Sequence, residues 1–149
     1  MKFTGSVDVD RPLHVVADLF ADPDKRSEYQ DGFERWEPVS GTPGEDGAVS
    51  KLYYSARGRE MVLKETVVAN RLPDSFEAYY EHSHMDNTLK TTFTPLGENR
   101  TRYEIEGEYT ALRGFMPNLM AKLFPRIFTK QAQSWLDNFK VFAEGTSTD

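Results

Sequence analysis

Six strand-like segments between Phe33 and Ala111 follow one another, and this succession constrains the fold more than any other feature. Turn signals such as SGTPGEDG, RLPD and HMDN separate them. Loops of hairpin length join antiparallel neighbours, because a parallel connection needs a crossover of about a dozen residues or more. The sequence therefore predicts an antiparallel meander with strands at 33–39, 49–56, 60–69, 75–83, 88–94 and 101–111.

The last of these segments shows which face of the sheet is covered. Its residues alternate between apolar or small side chains and charged ones, and the former are Tyr103, Ile105, Gly107 and Tyr109. One covered and one solvated face is the usual arrangement of an antiparallel sheet. In the segment 75–83 the same alternation places on the covered face Phe76, Ala78, Tyr80 and His82.

Helical patterns lie on both sides of these strands. A strand at 2–9 leads into a helix beginning near Leu13, with Asp10 as a candidate cap, and Asp22 with Pro23 starts a second short helix. Apolar residues at helical spacing run from Phe115 to Glu144, and Pro125 should kink or break this helix. The length fits a single domain at 1–145, with a disordered tail at 146–149.

Four segments carry a resemblance to a known family, and together they span most of the chain. They are VDVDRPLHVVADLFADPDKRSEY, PVSGTPGEDGAVSKL, KETVVANRLP and MAKLFPRIFTKQAQSWLDNFKVFAEG. In this order they resemble the helix-grip fold of the START/birch-pollen-allergen (SRPBCC) superfamily, and within it the polyketide cyclase/dehydrase and lipid-transport branch. Tyr29 departs from the pattern, since a tryptophan is common there.

The resemblance implies an α+β fold in which a curved antiparallel sheet of about seven strands (β-α-α-β6-α) wraps around a long C-terminal helix. A cavity between sheet and helix holds hydrophobic ligands such as lipids, sterols, quinones or polyketides in many members, and some polyketide members are cyclases. The family has no universal catalytic motif, so the resemblance assigns no catalytic residue.

Aromatic residues make up 13% of the chain, and this content favours a cavity lined by rings over a core filled by them. We expect a small hydrophobic or amphipathic ligand there, with hydroxyl groups and an imidazole orienting its polar end. The candidate ligand-binding residues are Tyr54, Met61, Leu63, Tyr80, His82, Phe93, Tyr103, Tyr109 and Trp135.

Two residues are candidates for acid–base chemistry if the protein is instead an enzyme of the cyclase/dehydrase type. Glu65 lies among apolar residues of the strand 60–69, and His82 is an imidazole near the same cavity. His82 and His84 could share a metal, but the chain has no cysteine and no evident further ligand. We therefore expect a carrier rather than an enzyme, with no metal and no cofactor.

Charge and hydropathy limit the possible partners. The formal net charge is −6, and the scattered Lys and Arg residues predict no nucleic-acid binding and disfavour anionic membranes. No apolar run approaches the roughly 20 residues of a membrane span, and no signal peptide is evident, so we expect a cytoplasmic monomer or homodimer. A third possibility is a protein-partner module with a collapsed pocket, in which the Met-rich segment FMPNLMAKLF is a gate or a partner surface.

Overall fold

The computed structural model describes residues 1–146 and has the predicted α+β order. A strand, a helix and a 3₁₀ helix precede six further strands, and two helices end the described chain. The elements are β1 (Lys2–Val9), α1 (Leu13–Ala21), the 3₁₀ helix (Pro23–Glu28), β2 (Phe33–Ser40), β3 (Val49–Ala56), β4 (Arg59–Arg71), β5 (Ser75–Glu81), β6 (Met85–Gly97), β7 (Arg100–Leu112), α2 (Phe115–Leu123) and α3 (Pro125–Gly145).

All seven strands form one antiparallel sheet in the order β1-β7-β6-β5-β4-β3-β2. Each pair except β1 with β7 is a hairpin between consecutive strands, which confirms the predicted meander. Register shifts between Val67 and Ala69, and between Asp86 and Asn87, interrupt the ladders. Such bulges bend a strand and increase its twist, so they help to curve the sheet around the helix.

The C-terminal half of α3 packs closely against β1 because β1 has a glycine at the contact. A Cβ atom on Gly5 would lie 2.7 Å from Cδ1 of Leu136, closer than real Cβ contacts come. Leu136 and Phe139 are completely or almost completely buried there. They share one core cluster with Val9 of β1 and Tyr103 of β7.

Proline and aspartate end the helices, although not always as the sequence predicts. Pro125 separates α2 from α3, as expected for a residue that cannot continue a helix. Asp22 accepts a hydrogen bond from the Asp24 N–H at 2.9 Å and caps the 3₁₀ helix. The prediction that Asp10 caps α1 is wrong, since Pro12 occupies the cap position and makes no side-chain cap.

The turn between β5 and β6 lies earlier in the chain than predicted. We placed it at 84–87, but Asp86 and Asn87 already pair with Glu81 and Tyr80 across the hairpin. The bend is instead at 82–84, where Arg113 donates hydrogen bonds to the Ser83 carbonyl at 3.2 Å and to the His82 carbonyl. Clamping of the bend by this arginine explains why β6 begins at Met85.

Of the predicted tail at 146–149, only Thr146 lies within the described residues. Its hydroxyl accepts a hydrogen bond from the Arg11 guanidinium at 2.7 Å. None of the helices between residues 1 and 146 combines the length and the apolar character that crossing a bilayer requires.

Candidate functional site

A cavity of about 380 Å³ lies between α3 and the concave face of the sheet. Its walls come from β3 to β7, from the 3₁₀ helix and from α3, whose contributions include Phe128 and Trp135. The volume is within the roughly 300–1,000 Å³ of small-molecule sites. The interior is therefore not filled by the aromatic side chains, and space remains beside the packed core.

Aromatic rings form one wall of this cavity. The ring of Trp135 on α3 stacks on Tyr54 of β3 with centroids 6.0 Å apart and planes 6° apart. The Trp135 Nε1–H is buried and has no hydrogen-bond partner within residues 1–146. Because that nitrogen lies against packed atoms, other parts of the ring supply its cavity surface. At another part of the cavity, Tyr109 meets Phe128 of α3 edge-on at 5.0 Å.

Glu65 and Tyr80 form a polar pair inside the cavity. They lie directly opposite each other on β4 and β5, so the antiparallel register brings both side chains to the covered face. The Tyr80 hydroxyl donates a hydrogen bond to Oε2 of Glu65 at 2.7 Å. Glu65 is only 8% exposed, so this strand pairing holds a carboxylate inside the fold.

The 3₁₀ helix supplies the cation that faces this carboxylate. Arg26 lines the cavity, and burial by itself would lower the pKa of its guanidinium. The charge of Glu65 opposes burial, and the net effect raises the pKa of Arg26. Gln30 lies one turn further on and accepts a hydrogen bond from the Tyr54 hydroxyl at 2.6 Å. Together these residues make a polar cluster of Arg26, Gln30, Tyr54, Glu65 and Tyr80.

The tyrosines of this cluster stay protonated and act as donors. Burial raises the pKa of Tyr54, and burial together with the Glu65 charge raises that of Tyr80 well above its ordinary value. Burial also raises the pKa of Tyr103, which borders the same cavity. Near neutral pH the cavity therefore presents hydroxyl donors, one arginine and one carboxylate on an otherwise largely apolar wall.

His82 and His84 occupy different environments. His82 borders the cavity just after the end of β5, whereas His84 is exposed. Burial, His84 and Arg113 lower the pKa of His82, and its Nδ1 accepts the His84 N–H at 3.2 Å. In residues 1–146 no group of three or more His, Asp or Glu side chains is arranged to hold a metal ion.

The structure places eight of the nine predicted ligand-binding residues on the cavity wall. Beyond those already described, Met61 and Leu63 extend the wall along β4. Phe93 is the exception. It is buried in the core, with its ring centroid 5.3 Å from that of Phe20 of α1 and 5.0 Å from that of Tyr103.

Sequence reasoning missed the contribution of the 3₁₀ helix. Arg26 and Gln30 reach the cavity from a segment that we treated only as a short helix. A signal was present, because Pro23, Arg26 and Tyr29 are three residues apart and such positions share one side of a 3₁₀ helix. Trp36 of β2 also lines the cavity.

Comparison with known families and structures agrees with this architecture. The family model described as polyketide cyclase / dehydrase and lipid transport matches residues 1–143. The Zhui aromatase/cyclase from Streptomyces sp. R1128 has a TM-score of 0.78 and 12% identity over 97% of this chain and 93% of its own. A Thermus thermophilus protein gives 0.73 and 18% over 98% and 100%, and Ara h 8.0201 gives 0.74 and 10% over 98% and 99%. None of the curated proteins compared matches the chain. At these identities the structural likeness shows the fold alone.

Proposed function

The chain belongs to the polyketide cyclase/dehydrase and lipid-transport family, and on this premise we propose that it binds a small amphipathic ligand between the sheet and α3. The observation that carries the proposal is the cavity of about 380 Å³ whose largely apolar wall contains one polar cluster. Burial of apolar ligand surface would contribute about 25 cal/mol per Å² before ordering costs. The polar cluster would orient an oxygen-bearing end of the ligand.

The charges within the polar cluster narrow the class of ligand. Glu65 already faces Arg26 and accepts the Tyr80 hydrogen bond, so the cluster is balanced without a ligand. An anionic ligand would disturb this balance, whereas a neutral carbonyl, alcohol or phenol would need only a hydrogen-bond partner. We therefore favour sterol-, quinone- or polyketide-like compounds over fatty-acid anions.

Native mass spectrometry of the purified chain, with analysis of its organic extract, tests for a copurified ligand. Binding can then be measured with 1-anilinonaphthalene-8-sulfonate as reporter and with menadione, emodin, cholesterol and oleate as competitors. We expect a neutral oxygenated competitor to displace the reporter more effectively than oleate. A chain that carries no ligand and releases the reporter to none of the four would contradict the proposal.

Two adjacent cations of the 3₁₀ helix provide a matched pair of variants. Arg26 lines the cavity, whereas Lys25 is exposed. Loss of a charge-assisted hydrogen bond costs about 1.5–3 kcal/mol, so Arg26→Gln should weaken binding of the best competitor by about 10-fold or more. Lys25→Gln makes the same change of charge and should leave binding unchanged. Equal effects in the two variants would remove the polar cluster from ligand recognition.

A cyclase-type enzyme is the second candidate, and the cavity-facing Glu65 favours it. A buried carboxylate beside a hydroxyl donor is an arrangement suited to proton transfer at a carbon next to a carbonyl. His82 is the other candidate acid or base at the cavity. If turnover of a poly-β-ketone substrate is found, Glu65→Gln or His82→Gln should abolish it while ligand binding persists. Undiminished turnover in both variants would exclude these residues from the chemistry.

A further inference from the structure

Exposed apolar side chains gather on α2 and at the start of α3. Nine large apolar side chains are exposed in residues 1–146, and five of them lie within thirteen consecutive positions. They are Phe115, Met116, Leu123, Phe124 and Ile127. No residue of α2 is buried. Single exposed apolar residues are ordinary in soluble proteins, but a contiguous group marks an interaction surface.

The same region differs in charge from the rest of the chain. The chain has 24 acidic residues and a net charge of −6, but none of the acidic residues lies between Tyr109 and Leu136. Arg113 pairs with Asp86 at 2.7 Å. The other basic residues of the region make no ion pair within 4.0 Å among residues 1–146, and they are Lys122, Arg126 and Lys130.

Helical spacing places these cations beside the exposed apolar groups. Lys122 is seven positions after Phe115, which puts both on the outer side of α2. Arg126 and Lys130 are one turn apart on the outer side of α3 and flank the exposed Ile127. Phe128 points to the other side of α3 and lines the cavity. One short helical region therefore has a cationic, apolar outer face and a cavity-lining inner face.

We propose that this outer face, residues 115–130, docks the protein on an anionic lipid surface. Helices that lie in a membrane interface combine an apolar face with basic residues, and each basic residue near anionic lipid strengthens binding by roughly five-fold. The negative charge of the whole chain disfavours such a surface, but it is carried by other regions. A second copy of the chain fits less well, because a two-fold symmetric contact would bring the same unpaired cations together.

Docking at this place would bring a membrane close to the cavity wall at Phe128. Passage of a ligand between bilayer and cavity rests on the proposed function, whereas docking itself does not. The two are separated by measuring vesicle binding without ligand and ligand binding without vesicles. Failure of one measurement then leaves the other informative.

Cosedimentation of the full chain with vesicles tests the role of charge. We expect binding to phosphatidylcholine vesicles that contain about one-third phosphatidylglycerol, and much weaker binding to pure phosphatidylcholine. Replacing three cations of the outer face by glutamine should weaken binding on the order of 100-fold. These substitutions are Lys122→Gln, Arg126→Gln and Lys130→Gln. The control makes the same change of net charge at exposed lysines elsewhere, through Lys2→Gln, Lys25→Gln and Lys51→Gln.

A second pair of variants tests the role of the apolar groups at constant charge. Phe115→Ser with Phe124→Ser removes side chains that are 76% and 52% exposed. Val141→Ser with Val39→Ser removes apolar side chains of nearly equal exposure, 75% and 52%, outside the docking surface. We expect the phenylalanine variant to lose vesicle binding by about 10-fold or more and the valine variant to keep it.

Three results would overturn the proposal. Equal loss of binding in the two glutamine variants would show that net charge alone acts, and unchanged binding of the phenylalanine variant would exclude insertion of apolar side chains. A dimer that the phenylalanine variant abolishes, together with no binding of the wild type to vesicles, would identify a second copy of the chain as the occupant. Circular dichroism of each variant checks that loss of binding does not come from unfolding.

Discussion

The hydrogen bond from Tyr80 to Glu65 gives a direct test of how the polar cluster is held in the cavity. Tyr80→Phe keeps the aromatic ring but removes the donor from a carboxylate that is 8% exposed. A hydrogen bond to a charged group contributes about 1.5–3 kcal/mol. Arg26 still faces Glu65 in the variant, so we expect a value at the low end of this range. The free energy of unfolding should fall by about 1.5 kcal/mol and the midpoint of thermal unfolding by about 3–6 °C.

Urea unfolding followed by circular dichroism measures this change, provided that the m-value stays constant. Tyr53→Phe is the matched control, because Tyr53 precedes Tyr54 on β3 and lies under the Arg35 guanidinium at 3.6 Å, away from Glu65. A double-mutant cycle of Tyr80→Phe with Glu65→Leu should show a coupling of about 1 kcal/mol. Purely additive effects, or a Tyr80→Phe variant as stable as wild type, would refute the reasoning.

Three further predictions concern packing and titration. Gly5→Ala should destabilise the fold by about 1–3 kcal/mol in urea unfolding, because its Cβ would lie 2.7 Å from Leu136, whereas Gly97→Ala, with nothing within 4 Å, should not. Equal effects of the two changes would contradict close packing of α3 on β1. Burial raises the pKa of Tyr103, so unfolding releases its proton above about pH 10 and stability is lost as the pH rises; Tyr103→Phe should reduce the slope by about 1.4 kcal/mol per pH unit, and an unchanged slope would contradict this. His82 should titrate below pH 6.5 in an NMR experiment, since burial, His84 and Arg113 lower its pKa, and a value at or above 6.5 would contradict that environment.

Local pattern was sufficient for the strand order and for the face that each strand presents to the cavity. The alternation around Tyr80 placed it inward, and the same register brings Glu65 opposite it. Alternation cannot distinguish a residue that borders a cavity from one that lies in a filled core. Phe93 illustrates this limit, because Phe20 from α1 packs over it and closes the space that α3 leaves open elsewhere.

Contacts between distant segments account for the rest of what the sequence did not predict. Arg26 interacts with Glu65, 39 positions later in the chain, and no local periodicity encodes that encounter. Arg113 likewise fixes the turn after β5 from the far end of β7. Turn residues such as those of HMDN indicate that a bend is near, but the position of the bend was decided by a tertiary hydrogen bond.

The unequal packing of α3 along its length connects the cavity with the docking surface. The buried residues of α3 all lie in its second half, at Leu136, Phe139 and Ala143, where Gly5 allows β1 to approach closely. The first half, beginning at Pro125, stands over the cavity, and α2 before it buries none of its residues. Segments with few buried contacts open at lower cost than the global fold. Movement of this region could therefore admit a ligand while the second half of α3 remains in the core, and the side chains that the cavity leaves without a packing partner are those that we propose meet the lipid surface.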